Sequence, residues 1–347
     1  MKLATYKDGS RDGQLVVVSR DLSMAHYASA VASRLQQALD DWNFIAPSLQ
    51  DLYEVLNQGK ARHAFPFDPR MCMAPLPRAY QWADGSAYLN HVELVRAARH
   101  SEVPESYYTE PLMYQGGSDD FLGPTDDVVC VSESHGIDFE AELAVITGDV
   151  PMGSDADAAL EGVRLIMLAN DVSLRHLVSP ELAKGFGFLQ SKPATAFSPV
   201  AVTPDELGQA WQQGRVHLTL QSSWNGRKVG MCDAGPEMRF HFGQLIAHLC
   251  QTRHVRAGSI IGSGTAAKTL PAHLAELAAA FLWSCATGFG YLLPFFYVLF
   301  LTALLVHRTF RDDEKCAAKY GPYWEEYRKR TLIRTAPCVK YFGRSRP

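Results

Sequence analysis

The residues best suited to chemistry are two carboxylates two positions apart, in the run Asp138-Phe139-Glu140-Ala141-Glu142-Leu143-Ala144-Val145. The apolar residues that follow predict a strand, on which side chains at i and i+2 share a face, so Glu140 and Glu142 converge. Like charges on one face repel unless a cation sits between them, and hard oxygen ligands suit Mg2+, Ca2+ or Mn2+. By itself the pair reads more simply as a solvated strand face. A second apolar run, Ile166-Met167-Leu168-Ala169-Asn170-Asp171, ends on a carboxylate where the chain turns polar. Asp171 is a candidate third ligand; the alternative is a helix N-cap or Asx turn before Val172-Ser173-Leu174-Arg175.

Several other residues stand in a telling order around these: Asp84 with His91 seven positions on, Arg175 four after Asp171, Gln190-Ser191-Lys192 ahead of Ser198-Pro199, and Gly258-Ser259-Ile260-Ile261-Gly262-Ser263-Gly264-Thr265. Taken singly, His91 reads as a structural histidine and Lys192, beside Pro193, as an exposed loop residue. Taken together, the positions resemble the fumarylacetoacetate hydrolase family over about residues 1–265. The resemblance implies an α+β chain built on a mixed β-roll with a small N-terminal domain, a homodimer, and a bound divalent cation. It implies Asp84, Glu140, Glu142 and Asp171 as metal ligands for Mg2+, Mn2+ or Ca2+, and His91 as the base that activates water. Lys192 and Arg175 are then cations for the substrate's carboxylate or its developing oxyanion. The implied reaction is hydrolysis of a carbon–carbon bond in a 1,3-diketo acid of fumarylacetoacetate or acylpyruvate type. Gly185-Phe186-Gly187-Phe188 reads as a loop or lid rather than a phosphate cradle, which needs a third glycine and a helix start.

The elements that must position these residues follow from patterning. With 347 residues, 47% apolar and 20% charged, the chain is neither collagenous, wholly disordered nor a disulfide-stapled miniature. Residues 1–70 read as a small α/β domain: Leu15–Val18 is a short apolar strand, and His26–Leu39 and Pro47–Leu56 have helical spacing. The Pro-rich stretch from Phe65 to Pro77 reads as a linker. Over 71–265, the catalytic domain, short β-branched runs at Val128–Val131, Leu143–Ile146, Leu165–Leu168, Val216–Leu220 and Ser259–Ile261 alternate with turns and predict strands. After Thr265 the strands with which that family completes the roll do not follow, so a truncated roll with aggregation-prone edges is expected. Seven scattered cysteines without a CxxC pair suggest a reducing compartment, and no secretory signal is visible in the first 30 residues.

The chain changes character at its end. Residues 266–276 form a junction, and Leu277–Val306 runs for 30 residues without a charged side chain, beneath a mean hydropathy of −0.10. Interrupted by Gly288, Gly290 and Pro294, it predicts a helical membrane hairpin. Residues 1–306 carry 22 Lys and Arg against 32 Asp and Glu, whereas the tail 307–347 carries 11 against 5. A hairpin keeps the acidic body and the basic tail both on the cytoplasmic side, and an acidic body without a basic–aromatic motif argues against a nucleic-acid partner. The run Leu305-Val306-His307-Arg308, Arg311-Asp312, Cys316, Lys319-Tyr320-Gly321, Trp324 and Tyr327 resembles the C-terminal end of the Δ14 and Δ7 sterol reductases. That resemblance implies NADPH contacts at Asp312, Cys316, Ala317, Ala318, Lys319, Tyr320 and Tyr327; composition alone reads the tail as a basic helix on anionic lipid. Such a reductase needs most of a ten-helix bundle, of which this chain supplies the last fragment. Two unrelated resemblances meeting near residues 265–277 imply a chimeric chain.

Overall fold

Apolar runs without polar alternation demand burial on both faces, and the strands satisfy this by forming the middle of one large mixed sheet. The structure is a computed structural model that describes residues 1–98 and 103–266. In chain order the strands are β1 (Lys2–Tyr6), β2 (Gln14–Val18), β3 (Met24–Tyr27), β4 (Phe65–Pro66), β5 (Gln81–Gly85), β6 (Met113–Gly116), β7 (Ile137–Asp138), β8 (Ala141–Thr147) and β9 (Val163–Asn170). They continue with β10 (Ser173–Leu174), β11 (Ala196–Phe197), β12 (Ala201–Val202), β13 (Trp211–Gln212), β14 (Arg215–Val216), β15 (Thr219–Trp224), β16 (Arg227–Asp233) and β17 (Ser259–Gly262). The helices are α1 (Leu35–Asp40), α2 (Trp42–Asn57), α3 (Leu89–Ala98), α4 (Ala156–Leu160), α5 (Arg175–Leu182) and α6 (Phe242–Cys250).

The large sheet has the order β4-β3-β2-β1-β12-β9-β8-β17-β5-β6, with β11 also on β9. Alternation within a strand divides the core. Ala144, Ile146 and Ile260 face one side, with Leu39, Leu49 and Tyr53 of α1 and α2. Leu143, Val145 and Ile261 face the other, with Phe242, Leu245 and Ile246 of α6. Strand β17, last in the chain among those described, lies inside the sheet: it is parallel to β5 and antiparallel to β8. The ends of the sheet are β4 and β6. Met1–Thr269 forms one compact unit.

Some sequence expectations are corrected. Val128–Val131 is not a strand: Val129 and Val131 are 82% and 93% exposed, and among the described residues no strand pairs with them, so β propensity had nothing to act on. His26 begins no helix but sits in β3 opposite Val17, because pairing with β2 outweighs the local spacing; the helix starts at Leu35. Phe65–Pro66, expected as linker, is the sheet's edge strand, where Pro is tolerated. Val216–Leu220 is divided between β14 and β15. Among the described residues no helix is long and apolar enough to cross a membrane. The hairpin at 277–306, the tail at 307–347 and the nucleotide positions Asp312, Cys316, Ala317, Ala318, Lys319, Tyr320 and Tyr327 lie outside the described residues, as does the junction beyond Ala266.

Candidate active site

The expected site residues gather at one end of the four adjacent strands β9, β8, β17 and β5. Asp84 lies near the end of β5, in register with Gly262 of β17 and Tyr114 of β6. Glu142 is the second residue of β8, Glu140 immediately precedes that strand, and Asp171 immediately follows β9. The two segments are tied together there, since Asp171 N–H donates to the Glu140 carbonyl and Glu140 N–H to Asn170 Oδ1. His91 comes from α3 and Arg175 opens α5, whereas Lys192 follows the glycine-containing loop.

Two clusters result. In the first, Asp84, Glu142 and Asp171 offer carboxylate oxygens that all lie within 4.8 Å of one another, each residue buried. In the second, Glu140 is gripped on both oxygens: Arg175 Nη2 is 2.6 Å from Oε1 and Lys192 Nζ is 2.7 Å from Oε2. Lys192 Nζ joins the clusters, lying 2.7 Å from Asp171 Oδ2 as well. His91 Nε2 stands 3.8 Å from Glu140 Oε1, and Arg175 Nε donates to Asp138. Sequence reasoning missed two neighbours, Tyr114 and Thr195, and the contact made by a third, Gly264. Tyr114 donates to Asp171 Oδ2 and its ring lies under the Lys192 ammonium. Thr195 Oγ1 donates to Asp171 Oδ1 at 2.8 Å, and Gly264 N–H to Asp84 Oδ1 at 3.0 Å. No spacing singles out Tyr114 or Thr195, because each reaches Asp171 across the fold; Gly264 belonged to a motif already noted.

Burial and mutual repulsion govern the charges. Burial, then the Asp171 carboxylate, pushes Asp84 well above the usual carboxylate range, and burial with Asp84 and Asp171 does the same to Glu142. Burial would also raise Glu140, but Lys192 and Arg175 hold it below its ordinary value. Burial holds the His91 imidazole down, against the opposing pull of Glu140, so it is neutral near pH 7. Lys192 is raised despite burial by the carboxylates around it.

The first cluster fits a divalent cation. Both Glu142 oxygens are buried without a hydrogen-bond partner among the described residues, a costly state for a carboxylate unless a cation shares it. The donor set is three hard oxygens, as Mg2+ and Mn2+ prefer. The backbone also leaves no room to spare: a Cβ at Gly262 would lie 2.2 Å from Asp84 Oδ1.

Comparison with known proteins identifies the family of this fold. The sequence matches the fumarylacetoacetase N-terminal domain 2 over residues 1–78 and the fumarylacetoacetate (FAA) hydrolase C-terminal family over residues 81–283. The chain belongs to the FAA hydrolase family. Two solved structures similar to this FAA hydrolase family chain illustrate the shared fold. The fumarylacetoacetate hydrolase from psychrophilic Exiguobacterium antarcticum is 18% identical, covering 76% of this chain and 86% of that one with a TM-score of 0.53. The maleylpyruvate hydrolase from Sphingobium sp. SYK-6, solved with manganese(II) and pyruvate, is 16% identical over 78% of this chain and 90% of that one, TM-score 0.56. A third match, to the ergosterol biosynthesis ERG4/ERG24 family, covers residues 248–339 and overlaps the FAA hydrolase match. The Δ14-sterol reductase TM7SF2 of Mus musculus is 51% identical over 69 residues, 20% of this chain. The chain covers only 16% of that relative's length.

Proposed function

We propose that the chain is a divalent-metal-dependent hydrolase that cleaves a carbon–carbon bond in a 1,3-diketo acid of acylpyruvate or fumarylacetoacetate type. The observation that carries this reading is the buried trio Asp84, Glu142 and Asp171, with both Glu142 oxygens unpartnered, beside His91 and two paired cations. In this proposal the trio holds the metal together with Glu140, which gives up one of its two paired cations to the substrate as the ion binds. A bound Mg2+ or Mn2+ supplies Lewis-acid polarisation of a substrate carbonyl.

The chain's own residues account for the rest. His91, kept neutral by burial, takes a proton at a ring nitrogen from the attacking water. Lys192 and Arg175 stay charged and meet the substrate's carboxylate, or the oxyanion that develops when water adds to the carbonyl. Tyr114, whose phenol burial pushes well up, remains a proton donor and steadies Asp171. Scission then releases a stabilised enolate, which collects the proton. Residues 1–70 serve as the small N-terminal domain and 71–265 as the catalytic domain, in a homodimer; 277–306 anchors the chain in a membrane.

Calorimetric titration of the detergent-purified full-length chain with Mn2+ tests this, beside Glu142→Gln and Glu140→Gln. Saturable binding by the parent that Glu142→Gln loses is expected, followed by Mn2+-dependent loss of acylpyruvate absorbance; a parent that binds no Mn2+ removes the proposal. A second reading, an NADPH-dependent sterol reductase fragment carrying the N-terminal region as passenger, draws on the identity to the mouse reductase. With so little of that relative's length present, we expect no NADPH oxidation with a Δ14-sterol, and turnover there would favour the second reading.

A further inference from the structure

Beyond the carboxylates gathered around Asp84, one further buried carboxylate is fully engaged yet has no part in the chemistry above. Glu181 lies in the last turn of α5, where the helix dipole disfavours a negative charge. Compensation comes from the chain that follows. Glu181 Oε2 accepts from Leu189 N–H at 3.0 Å, Ser191 N–H at 3.0 Å and the Ser191 hydroxyl at 2.5 Å, and Oε1 accepts from Gln190 N–H at 2.7 Å. The Ser191 carbonyl in turn accepts from Leu174 N–H at 2.8 Å, just ahead of α5. The loop between therefore leaves and rejoins one helix, turning back through Gly185 and Gly187 at positive φ. Its side chains Phe186 and Leu189 point into solvent, 99% and 82% exposed, so its one aromatic contact is Phe188, edge-on to the Tyr114 ring at 5.2 Å, and the Glu181 bonds supply the rest of its anchorage among the described residues.

The residue after Ser191 is Lys192, whose ammonium bridges Glu140 and Asp171. At the other end of the same helix, Arg175 takes the second oxygen of Glu140. One helix thus sets both cations on Glu140, Arg175 directly and Lys192 through the clasped segment. We propose that Glu181 is a positioning residue, whose carboxylate latches residues 189–191 so that Lys192 stands between Glu140 and Asp171, ready for the substrate's anionic group. The catalytic consequence rests on the hydrolase reading, but the seating of Lys192 is measurable without turnover.

The experiment uses the full-length, Mn2+-loaded chain and three variants, Glu181→Ala, Glu181→Gln and Ser191→Ala. Acetic anhydride labelling read by mass spectrometry reports Lys192, with exposed Lys184 as the internal reference. In the parent Lys192 labels slowly. In Glu181→Ala it should label about tenfold faster while Mn2+ affinity stays within about threefold, because a released loop frees the amine from Asp171 but leaves the three carboxylates on β5, β8 and the end of β9. Glu181→Gln keeps an acceptor and should rescue part of the protection, and Ser191→Ala should lose the least. Unchanged labelling in Glu181→Ala overturns the latch, whatever the activity. Where the parent turns over a diketo acid, Glu181→Ala should lower kcat/KM about tenfold or more, yet by less than about twofold in a Lys192→Ala background, since residues acting through one another are not additive. Additive losses would make Glu181 merely structural. A parent without turnover but with a Glu181-dependent Lys192 defeats the hydrolase reading and leaves the latch standing.

Discussion

At the scale of single residues, the division of labour follows from which charges are compensated. Glu140 is satisfied by Arg175 and Lys192, whereas both Glu142 oxygens are buried without a hydrogen-bond partner among the described residues. Replacing Glu142 by Gln should therefore weaken Mn2+ affinity by at least about tenfold by calorimetry, the loss expected when a charged ligand is removed. His91 touches no member of the trio by hydrogen bond, so His91→Ala should leave Mn2+ affinity nearly unchanged while lowering kcat by about 100-fold or more, the usual worth of a general base. Undiminished turnover in that variant would take His91 out of the mechanism.

At the scale of elements, the site depends on close approach between β17 and β5. A methyl at Gly262 would press on Asp84 Oδ1 at 2.2 Å and on the Trp82 ring at 2.4 Å, both fixed in the core. Gly262→Ala should shift Asp84 and weaken Mn2+ binding, and a parent-like titration would show that the strand ends yield. The α5 loop answers to acid. Burial alone would raise Glu181, but three backbone N–H groups and the Ser191 hydroxyl bring it to about 2, below its ordinary 4.5. A carboxyl depressed in the fold stabilises fully above its unfolded value and loses that contribution as pH falls through the folded one. Amide protection factors at residues 189–191 should hold steady from neutral pH to about 5 and decline below about 4.5, as that linkage requires. Protection that persists to pH 2 in both parent and Glu181→Gln would contradict it.

At the scale of the whole molecule, the proposed cation, held by β5, β8 and the residue after β9, would join strands that are far apart in sequence. Ligand binding to the native state alone stabilises it by mass action, about 2.7 kcal/mol at a hundredfold excess over Kd. Chelation should accordingly lower Tm by several degrees and Mn2+ should restore it, with Glu142→Gln insensitive to both. The central place of β17 also bears on the chain's composite character. The FAA hydrolase match reaches residue 283 and the sterol reductase match begins at 248, so the boundary expected at 265 falls within their overlap, just beyond a strand held on both sides.

The sequence by itself determined the elements whose burial is continuous and the residues whose chemistry is local. Leu143–Ile146, Leu165–Leu168 and Ser259–Ile261 were legible as strands because burial on two faces, broken only at exposed Leu168, leaves no polar alternation to confuse. The ordered motif around Asp84, His91, Glu140, Glu142 and Asp171 was legible as one family's pattern. Tertiary structure alone decided how those side chains divide. Glu140 and Glu142, equivalent by spacing, part company because Arg175 and Lys192 arrive from α5 and its loop to claim one of them. Val128–Val131 failed as a strand, and Phe65–Pro66 succeeded as one, because strand formation depends on a partner that no local pattern contains. Tyr114, Thr195 and Glu181 were invisible for the same reason: each owes its importance to a hydrogen bond made across the fold, and such bonds are set by how the strands and α5 pack.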